Sequence, residues 1–329
     1  MTNLPSSLKI SPTEIQNGIL RGDRRMLAKG ITLVESRRKV DVDSAQKILE
    51  NVMSNTGNSI RLGISGIPGV GKSTFIETIG LKLIEDGHKV AVLAVDPSSP
   101  HSGGSILGDK TRMPELSKRV DAFIRPSATG GTLGGVARQT RESMMLCEAA
   151  GYDVILVETV GVGQSEVEVS SMVDFFVLLM LPGAGDSLQG IKKGIIEMAD
   201  MLIVNKADGD NHQLAKRAKN EYEQALRLVS NKKSQIKLCS ALTGDGISEI
   251  WKDVNMRLEN NKAIGSFKNK RINQQYNWMI KMTEDSILQS FRENSQIKES
   301  IVAYKSQLEK GQITPVMASH KLLEIFRKY

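Results

Sequence analysis

Lys72 and Ser73 stand near the end of the segment GIPGVGKST, Gly66 to Thr74, directly after the apolar run IRLGIS. Gly66, Gly71, Lys72 and Ser73 fill the pattern G-x-x-x-x-G-K-[ST] without a mismatch. Glycines let backbone N–H groups converge on phosphate oxygens where a Cβ would collide. A helix opening near Gly71 adds the partial positive charge of its N-terminus. Gly66, Ile67, Pro68, Gly69, Val70, Gly71, Lys72, Ser73 and Thr74 are therefore expected to cradle a triphosphate. Lys72 should reach the β- and γ-phosphates, and the Ser73 hydroxyl should bind Mg²⁺.

The cradle says nucleoside triphosphate, not which one. NKAD, Asn205 to Asp208, follows the strand-like run DMLIVN. A carboxylate at Asp208 can accept from the N1–H and exocyclic amine of guanine. Adenine has no N1 donor and would leave that acid unpaired, at a cost of about 1–3 kcal/mol or more for a charge. Asn205 and the stem of Lys206 would frame the ring. Ser240, Ala241 and Leu242 end the next strand-like run, where their backbone can offer donors to the guanine oxygen or simply close a strand. GTP and GDP are the expected ligands.

Hard Mg²⁺ wants oxygen ligands and keeps several waters. Ser73, Asp96, Asp109 and Glu158 can converge on it, some through water; Asp109 reads equally as a helix cap or a solvated loop acid. The Gly161 backbone N–H is placed to sense the γ-phosphate, and loops held this way order with triphosphate and relax after hydrolysis. Small signalling GTPases carry a water-orienting glutamine directly after this glycine. Here Val162 follows, and Gln164 stands three residues on. Slow intrinsic hydrolysis, accelerated by a partner or by self-assembly, is expected. Lys72, Arg112 and Glu158 form the candidate catalytic set. Arg112, Lys192 and Lys193 can each stabilise transferred charge or be plain surface cations. Two glycine-bearing segments, Ala128 to Ala137 and Pro182 to Gly194, are either connections or nucleotide-sensitive partner surfaces.

These groups need a frame. IRLGIS, HKVAVLAVD, YDVILVET, FFVLLMLPG, DMLIVNK and QIKLCSA read as strands buried on both faces. Helical segments separate them, which argues for an α/β, doubly wound, mainly parallel sheet with functional loops at the carboxyl ends of the strands. Residues 58–260 form this P-loop NTPase domain. Residues 1–57 form an N-terminal helical extension, opened by the capping box Ser11 to Glu14 and continued by a helix over DVDSAQKILENVMS. Residues 261–329 form a C-terminal helical arm. There Ile272, Tyr276, Ile280, Ile287 and Phe291 share a helix face. Such stripes must dock on the core or on a second copy, and a dimer is the favoured reading.

Composition narrows the partners. The formal net charge is +7. From Asn260 on, 12 Lys or Arg stand against 6 Asp or Glu, so the excess lies mostly in the tail. Aromatics make up 4%, which leaves few platforms for stacking on bases and argues against nucleic acid. No run approaches the ~18 apolar residues of a membrane span. Two cysteines and no recognisable leader in MTNLPSSLKI point to a reduced cytoplasm.

GIPGVGKST, VDPSSP, GGSILGDKTRM, GGTLGGVA, ETVGVGQSE, PGAGDSLQGIKKGIIEMAD and NKAD together resemble the MeaB family, the methylmalonyl-CoA mutase-associated GTPases, once labelled ArgK or transport ATPases for basic amino acids. The resemblance spans nearly the whole chain. It implies a G-protein chaperone that gates cofactor loading and protects or reactivates an adenosylcobalamin-dependent acyl-CoA mutase. It also implies homodimers through the C-terminal helices, Mg²⁺ near Ser73, Asp96, Asp109 and Glu158, and base recognition by Asp208. The segment Pro182 to Gly194 resembles the family's extra switch loop. The chain has no D-x-H-x-x-G cobalamin signature of its own. A P-loop kinase or ATPase linked to basic amino-acid transport is the alternative.

Overall fold

The structure is a computed structural model that describes residues 10–95, 112–126, 133–159, 164–183, 193–229 and 235–327. It divides into two compact units, Met1–Phe267 and Lys268–Tyr329.

The first unit is built on seven strands: β1 Ile60–Gly66, β2 Val90–Val95, β3 Ala122–Arg125, β4 Val154–Thr159, β5 Phe175–Met180, β6 Met201–Val204 and β7 Gln235–Leu238. Their order is β3-β2-β4-β1-β5-β6-β7, and every pairing is parallel. Alternate side chains of a strand leave by opposite faces. Ile60, Leu62 and Ile64 of β1 join Phe75 and Ile79 of the helix Lys72–Glu85 in one core. Ile155 and Val157 of β4 join Ile19, Ile31 and Ile48 in the other. Both faces are covered, which is why the strands read as unbroken apolar runs.

β3 was not among the expected strands. It is four residues long, AFIR, at the sheet edge, with Asp121 before it and Arg125 at its end. A strand that short carries too little apolar sequence to register as a run.

The N-terminal segment forms three helices, Pro12–Leu20, Arg24–Glu35 and Lys39–Val52. The expected capping box is present: Ser11 Oγ accepts from the Glu14 N–H at 3.2 Å, and Glu14 Oε2 accepts from the Ser11 N–H at 2.8 Å. The middle helix was missed. Its first residues are Arg24 and Arg25, and Gly30 interrupts its interior. Asp23 caps it through the N–H groups of Arg25 and Met26, at 2.8 and 3.1 Å. The two helices approach closely at Gly30, where a Cβ would stand 2.8 Å from Ile19 Cδ1 on the first helix. These helices share the core of the sheet face they cover.

The second unit continues the long helix Ser266–Glu293 into Ser295–Glu309 and Pro315–Phe326. Thr314 caps the last helix, accepting from Met317 N–H at 3.2 Å. Phe291 and Phe326 meet edge to face at 5.3 Å. The expected stripe on the long helix is not covered: Ile272, Tyr276 and Ile287 are each at least half exposed.

Candidate nucleotide-binding site

The sheet order reverses around β1. β2 follows β1 in the chain but lies beyond β4, whereas β5 pairs with β1 on its other side. The carboxyl end of β1 is thus the switch point where an open parallel sheet binds its ligand. Register sets Ile64 beside Glu158 and Gly66 beside Leu179. Thr159 Oγ1 donates to Ser65 Oγ at 2.8 Å, both fully buried, and holds the ends of β1 and β4 together.

Gly66 to Gly71 leave β1 and enter the helix that begins at Lys72. Gly71 has φ +94°, a left-handed conformation that glycine adopts freely. A Cβ there would lie 2.8 Å from Asn205 Nδ2, and one at Gly66 would lie 2.6 Å from the Leu179 carbonyl oxygen. The loop therefore presents backbone, not side chains, as a phosphate cradle requires.

Lys72 is buried, and its Nζ donates to the carbonyls of Gly66 at 2.8 Å and Ile67 at 3.3 Å. Burial lowers its pKa below the ordinary lysine value; the nearby carboxylates of Glu158 and Glu166 oppose that, and the Arg112 guanidinium adds to it. Arg112 is thus near enough for its charge to act on Lys72. The segment after it is fastened to the cradle helix: Glu77 Oε1 accepts from Glu115 N–H at 2.8 Å, and Leu116 fills the notch at Gly80.

Ser73 Oγ donates to Glu158 Oε1 at 3.2 Å, with Glu158 buried. A hydroxyl and a carboxylate side by side at a helix N-terminus are oxygen donors suited to a hard cation. Asp96, Asp109, Gly161 and Lys192 lie outside the described residues, as do residues 128–132 and 184–192 of the two glycine-bearing segments. Gln164 and Lys193 begin short helices, Gln164–Ser170 and Lys193–Met198.

At the end of β6, Asn205 is 1% exposed. Its Nδ2 donates to the Val70 carbonyl at 2.8 Å, and its Oδ1 accepts from Ala241 N–H at 2.9 Å and from Cys239 Sγ at 3.4 Å. Asn205 is therefore a strut between the phosphate loop and the loop after β7. Lys206 has φ +59°, the one positive φ outside glycine among the described residues. Its Cε passes 4.0 Å from where a Gly71 Cβ would be, so the stem runs beside the glycine loop. Asp208 is half-buried beside it, and Leu242 is 80% exposed. Ser240 N–H donates to the Asp245 carbonyl at 3.0 Å. Two of the three expected backbone donors, at Ser240 and Ala241, are thus engaged within the protein.

Glu166 was missed. It is 2% exposed while its neighbour Val167 is 51% exposed. In QSEVEVS an acid takes the inward position and a valine the outward one, an inversion that only the structure reveals.

A glycine cradle at β1, a buried acid at β4 and N-K-x-D at β6, on this sheet, define a P-loop GTPase. The family profile described as "Methylmalonyl Co-A mutase-associated GTPase MeaB" matches residues 27–296, and the chain belongs to that family. It is 50% identical over 272 residues to "GTPase ArgK" of Escherichia coli, covering 82% of each chain. It is 45% identical over 327 residues to "Methylmalonic aciduria type A homolog, mitochondrial" of Mus musculus, covering 95% of this chain and 79% of that one. The crystal structure of "LAO/AO transport system kinase" superposes with a TM-score of 0.77 at 36% identity, over 99% of this chain and 100% of that one. No described helix is long and apolar enough to cross a membrane.

Proposed function

We propose that this protein binds GTP and GDP with Mg²⁺ and hydrolyses GTP slowly alone and faster with a partner. The cycle gates cofactor loading into an adenosylcobalamin-dependent acyl-CoA mutase of the methylmalonyl-CoA mutase type, and protects or reactivates that enzyme. The observation that carries this reading is the Asn205 strut joining an N-K-x-D loop to a P-loop, in a chain of the MeaB family.

Ser73 and Glu158 would hold Mg²⁺, with Asp96 and Asp109 completing the set. The ion supplies charge neutralisation on the phosphates. Lys72 exchanges its loop carbonyls for phosphate oxygens. Arg112 stabilises charge as it develops on the transferred group. Gly161 reports the γ-phosphate, and Asp208 selects guanine. Hydrolysis is slow because Val162, not a glutamine, follows that glycine; the partner supplies what orients the water.

The protein works as a homodimer in the cytoplasm. Ile272, Tyr276, Met279, Ile287 and Leu288 leave a wide apolar surface on the long C-terminal helix, and a second copy offers the same surface in return. Sedimentation should give twice the chain mass, and a polar substitution at Tyr276 and Ile287 together should give one.

The test mixes the purified protein with the mutase. GTP turnover should rise at least tenfold, and retention of the mutase should differ between a GTP analogue and GDP. Unchanged turnover with no retention in either state rules the chaperone role out. Phosphoryl transfer from ATP to an acceptor would favour the transport-kinase reading.

A further inference from the structure

We propose that Thr78 is a positioning residue for the guanine nucleotide and sets how long it stays bound. This rests on the guanine reading above and adds a residue outside both recognition motifs.

Thr78 lies on the second turn of the helix Lys72–Glu85, half-buried. Its Oγ1 stands 2.6 Å from the Ala241 carbonyl oxygen and 3.0 Å from the Thr74 carbonyl oxygen. A helical threonine commonly returns its proton to the carbonyl four residues back. A hydroxyl has one proton, and here the shorter contact assigns it to Ala241. The Thr78 methyl also approaches Gly244, coming within 3.9 Å of where a Cβ there would stand.

Ala241 is consequently held on both sides. Its N–H goes to Asn205 Oδ1 at 2.9 Å, and its C=O takes the Thr78 proton. The turn itself is closed by Gly244 N–H on the Ser240 carbonyl at 2.9 Å. The helix that carries Lys72 and Ser73 on its first turn thus carries the base loop on its second. Asn205 ties that loop to the cradle from the sheet side, and Thr78 ties it from the helix side.

Loss of the hydroxyl frees the Ala241–Leu242 peptide to rotate while the glycine cradle keeps its geometry. The base end of the site loosens first, and the nucleotide escapes from that end. A threonine serving only helix stability would alter unfolding and leave nucleotide release alone.

The experiment uses the full chain loaded with fluorescent GDP and chased with excess GDP. Thr78→Val keeps the shape and removes the donor; Thr78→Ser keeps the donor. Thr78→Val should release GDP about five- to tenfold faster than wild type, the effect of one lost hydrogen bond. Thr78→Ser should stay within about twofold. The KM for GTP should rise with the release rate, and the nucleotide-free melting temperature should move by no more than about 2 °C. A Thr78→Val release rate equal to wild type overturns the role of Thr78. So does a faster rate that Thr78→Ser shares. Wild-type protein unable to retain GDP removes the guanine reading itself.

Discussion

The side-chain amide of Asn205 donates to the backbone carbonyl of Val70 at 2.8 Å, across 135 positions of chain. One buried side chain thereby binds the glycine loop after β1 to the loop after β7. The two recognition motifs are a single mechanical unit, so damage at one end should be felt at the other.

Asn205→Ala should show this. It strands the Val70 carbonyl and the Ala241 N–H in a buried setting, at about 1–3 kcal/mol for each group left unpaired. Urea unfolding of the nucleotide-free protein should report a loss of about 2–4 kcal/mol, and GDP retention should fall at least tenfold. Full stability with normal retention would show that the strut carries no strain between the loops.

Lys72 is held in a buried position by two loop carbonyls. Among the described residues it has no directly bonded carboxylate, and burying an ammonium that way is costly. Lys72→Met should therefore keep or raise the melting temperature while weakening GTP binding about 10- to 100-fold. Calorimetry and thermal unfolding on one preparation check both halves.

Two carboxylates of the helix Leu133–Ala149 should respond to pH with opposite signs. Burial alone would raise the Glu148 carboxyl, but Arg61, Ser59 and the Gly57 N–H outweigh it and hold the pKa below the ordinary range. Its stabilisation is full above the ordinary glutamate value and is lost as pH falls through the depressed native value. Burial raises the Glu142 pKa, against the weaker pull of Arg138 and Gln46. Its contribution is present in acid and lost as pH rises through the raised native value. Glu148→Gln should cost about 3 kcal/mol at pH 7, because Arg61 loses its partner, and less at about pH 3, well below the ordinary glutamate value. Glu142→Gln should be neutral or stabilising at pH 7. Denaturation midpoints at the two pH values decide.

Much of this molecule was legible in its sequence, for a physical reason. Strands buried on both faces must be apolar throughout, so six of them stood out as runs, and the cradle and NKAD are contiguous strings fixed to strand ends. β3 was illegible because a four-residue edge strand ending in Arg125 needs little apolar sequence. The helix Arg24–Glu35 was illegible because Gly30, which looks like a breaker, is what lets it approach Ile19. Thr78 and Glu77 were invisible as site residues for another reason. Their roles arise from contacts with Ala241 and Glu115, 163 and 38 positions away, and no local pattern encodes them. Glu166 was invisible too, because its exchange of burial with Val167 appears only in the folded chain.

The choice of guanine by Asp208 is tested most directly by titrating GDP and ADP calorimetrically into wild type and Asp208→Ala, with Mg²⁺ present. A carboxylate reading the guanine N1–H and amine predicts GDP bound at least about 100-fold tighter than ADP in wild type. In Asp208→Ala the ratio should collapse toward one as GDP weakens and ADP holds. Equal affinities in wild type, unmoved by the substitution, would contradict it.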